Sequence, residues 1–143
     1  MNMFDFNDGN GPVPAHEHPN GGGWVTETAY VAETAYVGPN AMVFGNAKVT
    51  GDAKVFGDAV VYDNAKVSGN AQVSGKAIVF GTTWVSGNAQ VYGTTWVSGN
   101  AQVYNNAMVS GNAQVYGTTW VYGNAMVFGN AQVSGKAIVF GTT

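Results

Sequence analysis

The chain has 143 residues, a formal net charge of −3 and only 9% charged residues. It is therefore short enough for one domain and lacks the basic footprint of a nucleic-acid binder. It contains no cysteine, which excludes a disulfide framework and any cysteine-based metal site. No apolar run approaches the length of a membrane helix, so no membrane insertion is expected. The opening MNMFDFNDGN lacks the basic and continuous apolar segments of a secretory signal. Synthesis in the cytoplasm is expected, with assembly on a phage or outside the cell left open.

Residues 1–20 do not repeat. Pro12, Pro14 and Pro19 among glycines and acidic groups suit a capping or docking segment for whatever follows. DFNDGNG has glycine where a calcium loop wants a third oxygen ligand, so a solvated turn is expected there. His16 and His18 would lie on one side of an extended strand. Two ligands alone do not make a metal site, so turn or capping histidines are expected and no metal or other cofactor is implied.

From residue 21 the chain is a hexad. Valine recurs at every sixth position from Val25 to Val139, and two residues before each sits glycine, alanine or threonine. A period of six excludes a 3.6-residue helix. Within a unit, A-x-V alternates small-in, variable-out, large-in, which is a short strand. Glycine with asparagine between such strands is turn chemistry. Where the first position is Pro39, Asp63 or Asn105 the second is Asn40, Asn64 or Asn106, so one residue of each pair is expected to take a positive φ. Glu27-Thr28 and Glu33-Thr34 fall outside that pattern. Short strands and corners bury their inward residues only by coiling. Three hexads close a triangle of eighteen residues, and residues 21–143 predict six to seven coils, a prism about 30 Å long at the parallel-strand spacing.

The units GNAKVT, GDAKVF and GNAQVY resemble the hexapeptide-repeat family, over residues 21–143 and without interruption. The resemblance implies an all-β, single-chain triangular left-handed parallel β-helix. The family's enzymes are mostly trimeric acyltransferases with a catalytic histidine and loops projecting from the coils. This chain has no histidine after residue 18 and no inserted loop, so the resemblance implies the non-catalytic, polymer-forming type and no enzyme.

Sorting the outward position by coil gives three faces. One carries Trp24, Met42, Val60, Ile78 and Trp96 in succession, more apolar surface than a monomer usually exposes. It is expected to be an aromatic ladder that stabilises neighbouring strands, or to be covered by another chain or by the N-terminal tail. The second reads Tyr30, Lys48, Lys66, Trp84, Gln102, Trp120 and Ile138, and the third begins at Tyr36 and Lys54. A corner ladder of Asn70, Asn88, Asn106 and Asn124 predicts amide stacking. Threonines Thr82, Thr94 and Thr118 form no regular array, which argues against ice binding. Duplicated blocks are offset by 12 residues (81–92 and 93–104) or by 60 (69–83 and 129–143), neither a multiple of eighteen. The hexad, not the coil, is the exchangeable unit.

The pattern runs to Thr143 with no proline or charge cluster to blunt an open edge. These features point to a non-catalytic structural protein that self-associates end to end, head to tail, into a filament. The candidate contact residues are Trp24, Met42, Val60, Ile78, Trp84, Trp96, Trp120 and Thr143. The alternative is a carbohydrate- or surface-binding module in which outward Trp84, Trp96 and Trp120 stack on a glycan.

Overall fold

The computed structural model describes residues 2–140; Thr143 lies outside them. Every regular element among those residues is a strand. β1 (Met3–Asp5) and β2 (Pro12–Glu17) form an antiparallel hairpin, and β2 pairs antiparallel with β3 (Trp24–Thr26). After β3 come two-residue strands, one per hexad, from Tyr30–Val31 to Ile138–Val139. Until the last coil, each pairs in parallel with the strand eighteen residues on, as in Lys48↔Lys66↔Trp84. The chain thus winds three straight runs per coil and builds sheets of nine, seven and six strands.

Inward valine and alanine fill the prism. Val25, and the valine at every sixth position from Val37 to Val121, is fully buried, and the alanines between them are buried with them. Each valine contributes on the order of 1.5 kcal/mol by leaving water, and neighbouring coils share one continuous core. Backbone ladders complete the stack, with the N–H of Lys66 donating to the Thr83 carbonyl at 2.9 Å and that of Ser68 to Val85 at 2.9 Å.

The corners correct one expectation. From Gly45 to Gly135 it is always the first residue of the corner that has a positive φ, including Asp63 (60°) and Asn105 (59°), while Asn64 and Asn106 do not. The two positions do not trade places, because the first residue must turn back over its neighbour. A Cβ on Gly75 would lie 2.8 Å from the Gly93 nitrogen. The first coil turns differently. Glu27-Thr28, Glu33-Thr34 and Pro39-Asn40 have no positive φ. They share with later corners the bond across the turn, here from the N–H groups of Ala29, Ala35 and Ala41 to Thr26, Ala32 and Gly38 at 3.0, 3.0 and 3.1 Å, against 3.2 Å for Ala71 to Ser68. In later coils the second corner residue's N–H donates downward, as Asp52 does to Gly69 at 2.9 Å. In the first coil the Thr28 and Thr34 hydroxyls reach the Gly45 and Gly51 carbonyls, so threonine there supplies a downward bond through its side chain.

The N-terminal residues cover the first-coil edges of two of the three sheets. β1 and β2 extend the nine-stranded sheet beyond β3. Residues 18–23 lie across the Tyr36–Val37 edge: the Val37 N–H donates to Asn20 and the Gly23 N–H to Val37, both at 3.0 Å. The Asn20 amide donates to the Ala35 carbonyl at 3.1 Å, and His18 Nε2 sits 2.8 Å from the same oxygen. Gly21 and Gly23 are required by this close approach, since a Cβ would meet the Val37 carbonyl oxygen at 2.1 Å and its Cγ1 at 2.4 Å respectively. The Tyr30–Val31 edge of the third sheet pairs only with the coil below it.

Candidate functional site

With valine and alanine turned inward, chemistry is left to the outer walls and the tips. The nine-stranded wall carries the apolar stripe predicted from sequence, and the chain's own tail takes up its upper part. Phe4 stacks on Trp24 at 4.7 Å, and Phe6 on Phe44 at 4.9 Å. Phe44, Tyr62 and Phe80 continue the stack at 4.9 and 5.1 Å. Phe80 then meets Trp96 edge-on at 6.4 Å. Trp24, Met42 and Val60 pack against the buried trio Phe6, Ala15 and Phe44. The covering by the tail that the sequence allowed is present over Trp24 and Phe44. Ile78, below it, is half-buried. Burial in this stack, with the Asp63 charge adding to it, pushes the Tyr62 phenol above the usual tyrosine range.

Three tryptophans remain open. Trp84, Trp96 and Trp120 are 50%, 48% and 44% exposed. Trp84 and Trp120 lie on the seven-stranded sheet with Gln102 between them, and Trp96 lies on the nine-stranded one, so the three form no single platform. Each follows a buried threonine, Thr83, Thr95 or Thr119, whose hydroxyl has no hydrogen-bond partner. The lysines above Trp84 received no role from the sequence reading, although their eighteen-residue spacing was visible. Lys48, Thr50, Lys66, Ser68 and Trp84 line a groove of about 240 Å³, and the Lys66 ammonium sits 5.0 Å from the Trp84 ring centre. That is a cation–π contact.

His16 and His18 do not converge. The Nδ1 of His16 pairs with the Glu27 carboxylate at 2.5 Å, while His18 is buried against the Ala35 carbonyl. They serve the cap, and no group of three or more His, Asp or Glu side chains among the described residues is placed to hold a metal. The predicted asparagine ladder is present. Asn70, Asn88, Asn106 and Asn124 pass amide hydrogen bonds down the wall at 3.4, 3.2 and 3.3 Å.

Residues 101–117 and 121–135 match a family model described as the YdcK beta solenoid repeat. Together with the stacked parallel coils, this decides the class. The chain is a repeat β-helix protein. No curated protein and no solved structure gave a match. The matched segments lie entirely within the stacked coils.

Proposed function

We propose that this β-helix is a non-catalytic structural protein whose copies join end to end into a filament. The observation that carries the proposal is the seven-stranded sheet, whose edge strands Tyr30–Val31 and Ile138–Val139 each pair on one side only among the described residues. Their side chains are open as well: Tyr30 is 55%, Ile138 57% and Phe140 60% exposed. Unpaired strand edges are templates for another chain. Laying Ile138–Val139 of one copy beside Tyr30–Val31 of the next keeps the outward-inward alternation. In that register the open Ile138 side chain lies beside Tyr30 and Phe140 beside Ala32, so apolar contacts cross the junction. Because the N-terminal residues cover the first-coil edges of the other two sheets at the head, the junction of coil on coil concentrates on this one. Such a head-to-tail contact is heterologous and grows open chains. The uninterrupted hexads, with no histidine among them, support the non-catalytic part of the reading.

A charge on an edge strand blocks edge-to-edge pairing. Sedimentation velocity is expected to show large species for the native chain and single copies for the double variant Ile138→Lys, Phe140→Lys. Identical sedimentation of the two proteins would overturn the proposal.

A second reading, carbohydrate binding, is favoured by the half-exposed rings of Trp84, Trp96 and Trp120, whose apolar faces suit sugar rings. On that reading a glycan array shows binding that weakens on Trp→Gln replacement; an array without hits removes it.

A further inference from the structure

We propose that the groove between Lys48 and Trp84 is a binding site for a carboxylate-bearing sugar. This rests on the carbohydrate reading and names the class of sugar. Lys48 and Lys66 are register partners on adjacent coils, so their stems leave the wall about 4.8 Å apart. Both are exposed. The single ion pair among the described residues joins His16 to Glu27, so neither ammonium has a carboxylate. Two like charges at neighbouring positions of a sheet repel, and an anion set between them removes that repulsion.

The rest of the groove is built for a polyol. Thr50 and Ser68 line it, and their hydroxyls form no hydrogen bond with the described residues, which leaves both free to bond sugar hydroxyls. Trp84 supplies a half-exposed aromatic surface at the lower end. The volume of about 240 Å³ is below the roughly 300–1,000 Å³ of sites for drug-sized ligands, which suits a single ring. Below Trp84 the same wall continues through Gln102 to Trp120. A second ring-stacking surface is thus offered two coils on, about 9.6 Å away, and a longer saccharide can follow it. A nucleic acid fits less well. It needs a succession of phosphate contacts, and below Lys66 the next cation along this wall among the described residues is Lys136, beside Trp120 and Ile138, in a chain of net charge −3.

The test is titration calorimetry of the full chain with a short oligogalacturonate and with the same oligomer fully methyl-esterified, which keeps the rings and removes the charge. Lys48→Gln, Lys66→Gln and Trp84→Gln are safe variants, because Gln72, Gln90 and Gln102 already occupy the equivalent outward position. Exposed ion pairs are modest, so each lysine replacement is expected to weaken oligogalacturonate binding up to about fivefold. The ester is expected to bind at least that much more weakly than the acid, and Trp84→Gln to weaken both sugars. Equal binding of acid and ester, or binding indifferent to both lysines, overturns the acidic-sugar site while leaving carbohydrate binding standing. Binding of neither sugar, with an empty glycan array, overturns both.

Discussion

Replacing Gly75 by alanine tests the corner geometry on which the stack of coils depends. Gly75 has φ of +67°, and a Cβ there would lie 2.8 Å from the Gly93 nitrogen and 3.0 Å from its oxygen. The left-handed conformation costs alanine about 1–2 kcal/mol. The contact forces the two coils apart where the Lys76 N–H donates to the Gly93 carbonyl at 2.8 Å, and weakening that bond adds about 0.5–1.5 kcal/mol. The sum, about 1.5–3.5 kcal/mol, lowers the melting temperature by roughly 4–12 °C for a chain of this size. Two companions separate the contributions. Gly135→Ala has φ of +71° but nothing within 4 Å, so it loses only the conformational part. Gly75→Asn brings the same Cβ but a side chain that tolerates the left-handed region, as Asn105 and Asp63 do here, so it recovers about 1 kcal/mol relative to alanine. Calorimetric melting of the three variants gives the order. If Gly75→Ala melts with the native chain, or if asparagine is no better than alanine at that site, the reasoning about the corners is wrong.

Thr95→Val keeps the shape of a fully buried side chain and removes a hydroxyl without a partner. It is expected to stabilise by about 1 kcal/mol or more, read as a higher melting temperature. Phe6→Ala empties a 3%-exposed site beneath the hairpin. Because the tail can open on its own, the expected effect is fast amide exchange in Pro12–Glu17 and Trp24–Thr26, with the coils below unchanged. Tyr62 holds its proton to higher pH in the folded chain than when unfolded. Its contribution to stability is therefore complete below about pH 10 and lost as pH rises through the raised folded value. Tyr62→Phe is expected to flatten that alkaline loss in melts followed by circular dichroism.

The coil itself was legible in the residues, because valine at every sixth position leaves one way to bury a face with strands alone. The asparagine ladder followed from the same arithmetic, since Asn70 and Asn88 must be neighbours if eighteen residues make a turn. The corners were less legible. The sequence shows that Asn64 follows Asp63 but not which of them turns backward, and that depends on the coil below. Thr28 and Thr34 were opaque for a related reason: their hydroxyls bond carbonyls seventeen residues away. The covering of Trp24 by Phe4 and Phe6 needs the direction in which the hairpin folds back, which no periodicity encodes in a stretch that does not repeat. The Lys48–Trp84 groove arises between coils from residues that look like ordinary surface positions in their own hexads.

The filament is the account's central claim, and negative-stain electron microscopy of the purified native chain at high concentration tests it most directly. The account predicts unbranched particles many times longer than the prism of about 30 Å that one copy forms, growing with concentration. A uniform field of single short rods at every concentration would contradict it.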